Sequence, residues 1–471
     1  MKRWRAVAQE LERVIRSGSL RVGDKLPSVR MLCHARSVSP STILRAYSSL
    51  ELAGLIQSKP RSGYYVAARP KPPVPRSSIP KPSSTRVAVS DLVFDILDAS
   101  RSREVVPLGS AFPSPNLFPW TNLARYLGAS ARRMDPYGTV EGLPPGSLEL
   151  RRQIARRYLR QGLTIDVNEI VITAGALEAL NLALQTVTRS GDTIAIESPT
   201  FYGCLQAAER LGLNVVEIPT HPQEGLDLGA LSKVISKHSI RACWCMTTLQ
   251  HPTGATMPLD KKEELVRMLS GHGIPLIEDD VYAELQFAST PSVPSKAFDR
   301  NGLVLHCGSF SKCLAPGYRL GWVAAGRFAQ DVARRKIESS LATSLPIQLG
   351  IAQMLKFGGY ESHLVRFRRM LANQQAVALE SIHRHFPPGY RVAVPTGGYF
   401  LWIECAASVD SLEVHRLALS SGITIAPGPM FSARRQFRNF IRLNYGHPWS
   451  PEMDRAIKRL GHLLRRNATR A

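Results

Sequence analysis

The chain has 471 residues, of which 44% are hydrophobic and 21% are charged, and this balance excludes a disordered or fibrous protein. At about 100 to 200 residues per domain, the length predicts two or three domains. No apolar run approaches the ~18 residues of a membrane-spanning helix, and the basic first residues lead into an amphipathic segment, so we expect a cytoplasmic protein without membrane attachment. The seven scattered cysteines predict buried thiols rather than a disulfide framework or a metal site.

The charge is strongly positive and unevenly distributed. The formal net charge is +23, and residues 1–90 carry 17 lysines and arginines against 4 acidic residues, so +13 belongs to this first part of the chain. Such a field attracts polyanions, either nucleic acid or an anionic membrane. The distribution assigns this attraction mainly to an N-terminal head.

A proline-rich segment follows the head. Six prolines lie among serine, lysine and arginine residues between positions 69 and 90, with almost no large apolar side chains. This composition predicts an extended, semi-stiff linker over residues 69–90. The domains on either side are then residues 1–68 and residues 91–471.

The head has the pattern of three helices followed by a hairpin. Helical spacing of apolar residues predicts a first helix that ends at Gly18, a second helix capped by Ser28, and a third helix that starts at Ser39 and Pro40 and ends at residues 53–54. Short apolar runs at residues 55–56 and 64–66 predict two strands around a basic tip. In a winged helix-turn-helix of this kind, the N-terminal side of the third helix faces the major groove of DNA.

We therefore expect Ser41, Thr42 and Arg45 to face base edges and phosphates, and Arg30 and Arg61 to contact the DNA backbone. The alternative is a three-helix packing module with a solvated basic surface. The head also resembles the GntR family of transcription regulators, and the resemblance implies binding to double-stranded DNA. It rests on Gly23-Asp24-Lys25-Leu26-Pro27-Ser28-Val29-Arg30, Ala53-Gly54-Leu55-Ile56 and Arg61-Ser62-Gly63-Tyr64.

Buried strands alternate with helical stretches in the large domain. This order predicts an α/β fold with a mainly parallel sheet between helices, in which ligands bind at the carboxyl ends of the strands. The predicted strands are Ile170–Thr173, Thr193–Ile196, Asn214–Val216, Ala242–Met246, Pro275–Ile277, Leu303–Leu305 and Gly321–Val323.

Chemically useful side chains follow several of these strands. Lys312 can form a Schiff base with an aldehyde, while Ser309, Ser311 and Arg319 can bind a phosphate. Asp279 comes at a strand end, where a buried acid needs a cationic partner such as a protonated pyridine. Residues 173–178 offer a helix N-terminus to an anion, and Phe201 can stack on a flat ring. Taken singly, each motif also fits a surface lysine, a hydrated turn or a core aromatic.

Together, these motifs resemble the fold-type I pyridoxal-phosphate enzymes, the aspartate aminotransferase superfamily, across roughly residues 107–460. The resemblance implies a smaller C-terminal α/β subdomain and catalytic roles for Lys312, Asp279 and Tyr282. Asp279 would partner the pyridine nitrogen, Tyr282 would donate to the phenolic oxygen, and Arg442 would bind a substrate carboxylate. The implied cofactor-binding residues are Ala176, Leu177, Phe201, His251, Asp279, Tyr282, Ser309, Ser311, Lys312 and Arg319.

Two positions depart from the family pattern. His251 stands where the family motif Asn-Pro-Thr-Gly has asparagine, and a histidine can donate the same hydrogen bond but also titrates near neutrality. Tyr137 resembles a tyrosine that reaches the partner subunit's phosphate, but four extra residues separate it from Gly146. Whether the protein catalyses transamination efficiently is therefore left open.

A GntR-like head before an aminotransferase-like domain is the architecture of MocR regulators. The resemblance implies a homodimeric transcription regulator whose large domain binds pyridoxal phosphate and senses it or an amino-acid-related effector. The alternatives are a working aminotransferase with an accessory DNA-binding head and a DNA-binding protein with an inactive large domain. The effector, the operator and the sign of regulation are not visible in the sequence.

Overall fold

A computed structural model describes residues 3–16, 19–21, 23–52, 55–59, 62–67, 72–99, 104–288 and 292–468. The head contains three helices and an antiparallel hairpin, in the predicted order. Their bounds are α1 (Arg3–Arg16), α2 (Val29–Arg36), α3 (Pro40–Leu52), β1 (Ile56–Lys59) and β2 (Gly63–Val66).

Local hydrogen bonds explain where the helices of the head begin. The Ser28 hydroxyl accepts from the Met31 N–H at 3.2 Å, as expected of an N-cap, and the Ser39 hydroxyl accepts from the Thr42 N–H at 3.4 Å. The buried face of α3 packs on α1 and the hairpin. This core consists of Ala8, Leu26, Leu32, Ile43, Ala46, Tyr47, Leu50, Ile56 and Val66. The predicted stop signals at Gly18 and at residues 53–54 lie outside the described residues.

The rest of the chain builds a large α/β unit and a smaller C-terminal one. The large unit contains β3 (Thr85–Arg86), α4 (Ser90–Ala99), α5 (Trp120–Arg132), α6 (Leu148–Arg160), β4 (Ile170–Thr173), α7 (Ala176–Val187), β5 (Thr193–Ser198), α8 (Tyr202–Arg210), β6 (Asn214–His221), β7 (Gly225–Leu226), α9 (Leu228–Lys237), β8 (Ile240–Cys245), α10 (Leu259–Gly271), β9 (Leu276–Asp279), β10 (Val304–Ser309), β11 (Gly321–Ala324), α11 (Ala329–Ser340), α12 (Leu345–Lys356) and α13 (Gly359–His385). The smaller unit contains β12 (Arg391–Val392), β13 (Phe400–Glu404), α14 (Ser411–Leu419), β14 (Ala426–Pro427), β15 (Phe440–Asn444) and α15 (Pro451–Ala468).

The large sheet is mainly parallel, as predicted. Its strand order is β3-β6-β5-β8-β9-β10-β11-β4, with β7 beside β6. Strands β6, β5, β8, β9 and β10 run parallel, and β11 is antiparallel to both β10 and β4. The second sheet has the order β12-β13-β15-β14 and antiparallel pairs. Strands such as β4 and β9 are buried along their whole length, because helices cover both faces.

Residues 72–84 of the proline-rich linker have no regular secondary structure and are attached to the large unit, which differs from a free spacer. The Pro73 carbonyl accepts from the Val392 N–H at 2.9 Å, and the Ser78 hydroxyl accepts from the Thr220 N–H at 2.9 Å. Strand β3 pairs with β6. A segment outside helices and sheets leaves most of its N–H and C=O groups available to neighbouring elements.

None of the described helices combines the length and the apolar character needed to cross a membrane. Within the described ranges, no three His, Cys, Asp or Glu side chains are grouped so that they could hold a metal ion.

Candidate functional site

A cavity of about 500 Å³ lies where β4, β5, β9 and β10 reach their carboxyl ends. It is the place that the topology of a parallel sheet favours for a ligand. Every residue predicted to bind a cofactor lines it, although their roles remain predictions. These residues are Ala176, Leu177, Phe201, His251, Asp279, Tyr282, Ser309, Ser311, Lys312 and Arg319.

One end of the cavity is suited to an anion. Helix α7 begins there, and its first N–H groups have no carbonyl of a preceding turn to bind. Gly175 has φ +92°, and a Cβ at this position would lie 2.7 Å from Nη2 of Arg319. Glycine therefore lets the Arg319 guanidinium approach the start of the helix, where it donates to the Ala174 carbonyl at 3.3 Å and to the Ser311 hydroxyl at 3.4 Å.

Lys312 follows β10 and lines the cavity. Its Nζ donates to the Ala111 carbonyl at 3.0 Å and lies 4.0 Å from the centre of the Phe112 ring. Burial, helped by the charges of Arg442 and Arg319, lowers the pKa of Lys312 to about 7. A substantial fraction of this amine is therefore uncharged, and so nucleophilic, at neutral pH.

Asp279 ends β9 and is buried, with a relative exposure of 1%. Burial, and then the neighbouring charge of Asp280, raises the pKa of Asp279 to about 7. Its Oδ1 atom has no hydrogen-bond partner among the described residues. A buried carboxyl oxygen without a partner is costly, so this atom calls for a donor or a cation that enters the cavity.

The Asp280 side chain turns to a different network. Its Oδ2 lies 3.0 Å from Nε2 of His306, whose Nδ1 lies 2.7 Å from the Tyr158 hydroxyl. Burial lowers the pKa of His306, but the Asp280 hydrogen bond and nearby carboxylates outweigh it and raise that pKa above its ordinary value. The two adjacent acids thus have different surroundings: one faces the cavity and the other pairs with a histidine.

The expectation that His251 titrates near neutrality is wrong. Burial, with the charges of Arg442 and Lys312, holds the pKa of His251 well below its usual value, so the ring stays neutral. Nη1 of Arg442 lies 2.8 Å from Nε2 of His251. Because arginine only donates, Nε2 accepts and the neutral ring carries its proton on Nδ1.

Arg442 is fully buried next to the cavity. Its guanidinium lies 4.3 Å from the centre of the Phe400 ring, behind His251. No ion pair joins Arg442 to any residue in the described ranges. The predicted carboxylate-binding arginine is therefore a buried cation in a setting of rings and backbone carbonyls.

Part of the cavity wall consists of residues that the sequence does not predict to lie there. Residues 109–112, Tyr202 and Met246 also line it. Tyr202 could have been found, because it follows Phe201 directly at a strand end. Residues 109–112 precede every predicted strand of the large domain and have no periodic pattern, so only the folded chain brings them to Lys312.

Tyr137 lies outside the cavity. Its side chain is 91% exposed in a short 3-10 segment over residues 136–142. The predicted contact with a partner subunit's phosphate has no counterpart within this one chain and stays a prediction.

The predicted DNA-binding residues of the head lie at or near its surface. Arg30, Ser41 and Arg45 are exposed and Thr42 is half-buried, while Arg61 lies outside the described residues. The Ser39 hydroxyl is 2.9 Å from the hydroxyls of Ser41 and Thr42. The Arg45 guanidinium lies 5.4 Å from the centre of the Trp4 ring, so it is directed towards α1 in this structure.

Comparisons with known proteins agree with this two-part architecture. The family model for bacterial regulatory proteins of the gntR family matches residues 4–66, and that for aminotransferase class I and II matches residues 131–460. The uncharacterized HTH-type transcriptional regulator YdcR of Escherichia coli K12 is 44% identical over 98% of this chain and 99% of its own length. A second regulator of that organism, YjiR, is 35% identical over 99% of each chain.

A solved structure supports the fold of the large domain. The α-aminoadipate aminotransferase LysN of Thermus thermophilus, in complex with N-(5'-phosphopyridoxyl)-L-leucine, has a TM-score of 0.73 and 27% identity. The match covers 80% of this chain and 95% of LysN. The chain belongs to the family of HTH-type transcriptional regulators that join a GntR head to an aminotransferase class I and II domain. The predicted family and fold class are therefore confirmed.

Proposed function

We propose that this protein is a cytoplasmic, DNA-binding transcription regulator whose large domain binds pyridoxal phosphate and senses it or an amino-acid-related ligand. One observation carries the proposal: an amine, a buried acid and an anion-binding helix end converge on one cavity in a chain that begins with a GntR head. None of these groups alone would support it, because each also occurs in ordinary protein cores and surfaces.

The residues present fit pyridoxal phosphate. Arg319, Ser309, Ser311 and the start of α7 would hold its phosphate, and the unpartnered Oδ1 of Asp279 would face its ring nitrogen. Lys312 would hold its aldehyde carbon. When bound, the cofactor supplies an electron-withdrawing ring conjugated to the carbon that reacts with amines.

The protein's own groups set the protonation of the site. Lys312 loses its proton from Nζ near neutrality, because burial and two arginines disfavour its cation. Asp279 exchanges its proton near pH 7, because burial disfavours its carboxylate, and a cation beside it would favour the carboxylate. His251 supplies a donor at Nδ1, because Arg442 occupies Nε2. These states suit a cofactor with an electron-rich phenolic oxygen and a protonated ring nitrogen.

The proposed effector carries a carboxylate. Arg442 is a fully buried cation that forms no ion pair with the described part of the chain. A buried guanidinium is stabilised most by a carboxylate, which it can bind through two parallel hydrogen bonds. Amino acids and 2-oxo acids therefore match this side of the cavity.

We further propose that a second copy of the chain covers the cavity mouth. Leu97, Phe112 and Leu177 line the cavity and are 37%, 43% and 46% exposed. Large exposed apolar side chains near a ligand site are typical of an interface. A homodimer would also present two heads to DNA half-sites.

The alternative is a working aminotransferase that carries an accessory head. Retention of Lys312 and Asp279 in the cavity wall, with Arg442 bonded to the cavity residue His251, favours it. Single-turnover conversion of the cofactor to its pyridoxamine form, scanned across amino acids, distinguishes the two. Fast multiple turnover with a 2-oxo acid acceptor would favour the enzyme, and slow or absent turnover with ligand-dependent DNA binding would favour the regulator.

Cofactor binding is tested on the full-length protein with added pyridoxal phosphate. We expect a visible absorption band of the bound cofactor and, after borohydride reduction, a modified peptide that contains Lys312. The Lys312→Ala variant should lose the reduced adduct, and Lys237→Ala, which changes an exposed lysine, should retain it. Absence of the band in the wild type, or an adduct that persists in Lys312→Ala, would overturn the proposal.

A further inference from the structure

We propose that residues 109–112 form a strap that occupies the carboxylate site at Arg442 and that a carboxylate ligand must displace. The inference rests on the proposed function, since it takes Arg442 as the site of an amino-acid-related ligand. It adds that the protein carries its own competitor for that site.

Backbone carbonyls of the strap are bound by several side chains. Lys312 lines the cavity, and the others belong to residues Tyr399, Arg442, Asn444 and His447. Nη2 of Arg442 donates to the carbonyls of Gly109 and Ser110, the latter at 3.0 Å. Nδ2 of Asn444 donates to the carbonyls of Ser110 at 3.0 Å and Phe112 at 2.7 Å. With Ala111 bound by Lys312, all four consecutive carbonyls are acceptors.

Because of the geometry of a guanidinium, Arg442 cannot bind the strap and a bidentate carboxylate at the same time. Arginine has five N–H donors, and a carboxylate binds bidentately either through Nε and Nη2 or through Nη1 and Nη2. Both arrangements need Nη2, whose two N–H groups already bind Gly109 and Ser110. Nη1 is also bonded to His251, and Nε has no partner among the described residues. While the strap is in place, an incoming carboxylate can gain only single hydrogen bonds.

Release of the strap would therefore accompany tight carboxylate binding. Two carbonyl oxygens would be exchanged for two anionic oxygens, which accept stronger hydrogen bonds from a cation. The strap continues towards the N-terminus through Val106, whose N–H donates to the Gly422 carbonyl at 2.8 Å. It lies ten residues after α4 in sequence, and α4 itself contributes Leu97 to the cavity wall, so the chain that follows the linker contacts the cavity at both places.

The strap has little room to adjust where it lies. A Cβ at Gly109 would be 2.7 Å from the backbone carbon of Ile425, a contact that neither backbone can relieve without moving. The Gly109→Ala substitution therefore offers a second way to dislodge the strap, independent of Asn444.

The test measures binding of 3-phenylpropionate to the full-length protein by calorimetry, with and without pyridoxal phosphate. This unreactive carboxylate suits the aromatic cavity, and 3-phenylpropionamide is the uncharged control ligand. Asn444→Ala removes two hydrogen bonds to the strap, so we expect about 3- to 30-fold tighter binding than in the wild type. Gly109→Ala should shift affinity in the same direction. Asn439→Ala, which alters an amide bonded to Cys405 away from the strap, should leave it unchanged.

Hydrogen exchange of residues 104–112 provides a second readout. Saturating 3-phenylpropionate should speed exchange there in the wild type, and Arg442→Gln should abolish both the binding and this effect. Unchanged or weaker affinity in both Asn444→Ala and Gly109→Ala, unaltered exchange at saturation, or no binding to any variant would each overturn the strap. Failure of pyridoxal phosphate to attach to Lys312 would instead contradict the proposed function, and the strap can be measured without the cofactor.

Discussion

Two buried ionisable side chains in the cavity titrate near neutrality from opposite directions. Burial lowers the pKa of Lys312 and raises that of Asp279, in each case to about 7, because both charged forms lose solvation. Shifted pKa values of this kind are common at functional sites that bind charged ligands. Because burial disfavours both charged forms, the free energy of unfolding depends on pH through these two groups.

Replacing Asp279 with asparagine should stabilise the cofactor-free protein at neutral and alkaline pH. The folded-state pKa of Asp279, about 7, exceeds the ordinary value of 3.8, so the folded state binds more protons and the stability that this acid contributes falls as pH rises between these values. The free energy of unfolding that is lost above pH 7 through Asp279 is at most about 4 kcal/mol. Thermal unfolding of Asp279→Asn and wild type at pH 5 and pH 8 measures it.

We expect the gain from Asp279→Asn to be larger at pH 8 than at pH 5, and affinity for pyridoxal phosphate to fall in the same variant. Asp260→Asn, a change at the exposed start of α10, serves as the control. An equal gain at both pH values would contradict the assigned pKa.

Attachment of pyridoxal phosphate to Lys312 should accelerate with pH around neutrality. Only the uncharged amine is nucleophilic, and with a pKa of about 7 its fraction rises about tenfold from pH 6 to pH 8. An ordinary lysine would rise about a hundredfold over this range. Stopped-flow absorbance measures the rate, and the reaction of the cofactor with N-acetyl-lysine in the same buffers corrects for the cofactor's own titration. A hundredfold dependence would show that Lys312 is an ordinary amine.

At the scale of elements, the cavity residues that could be predicted from the sequence are those at the ends of strands. Strands β4, β5, β9 and β10 are apolar and end in polar residues, so their side chains could be placed at one edge before the structure was known. The strap could not be placed, because its contacts join residue 110 to residues 442 and 444 across more than three hundred positions. The His251–Arg442 pair was missed for the same reason.

The sequence predicts an extended spacer but not the attachment of this segment to the large unit. Proline content indicates an extended backbone, yet it says nothing of which neighbours its free carbonyls and hydroxyls will find. The bond between Ser78 and Thr220 and the pairing of β3 with β6 arise only in the folded chain.

Removing the Ser78 hydroxyl should loosen the linker without affecting the cavity. Ser78→Ala leaves the buried Thr220 N–H without its acceptor, which costs about 1 to 3 kcal/mol locally. Hydrogen exchange over residues 72–86 should accelerate roughly tenfold or more, while cofactor binding stays at the wild-type level. Ser77→Ala, a change of the exposed neighbouring serine, is the matched control. Equal exchange in both variants would mean that this bond does not hold the linker.

At the scale of the whole molecule, most of the net positive charge and the ligand cavity lie in different parts of the chain. Residues 1–90 carry most of the net positive charge, and the large domain carries the cavity. A ligand can influence DNA binding only if it interacts differently with two arrangements of the molecule. The attached linker and the strap are two described segments through which such a difference could pass.

The most direct test of the proposed regulator is the affinity of the full-length protein for DNA with and without pyridoxal phosphate. Fluorescence anisotropy at a fixed salt concentration would compare the protein's affinity for a duplex from upstream of the protein's own gene with its affinity for a scrambled duplex. We predict that the cofactor changes the affinity for the specific duplex at least about fivefold in the wild type and not in Lys312→Ala, and that Arg45→Ala weakens binding throughout. Equal affinity for both duplexes, or the same cofactor effect in Lys312→Ala, would contradict the proposal.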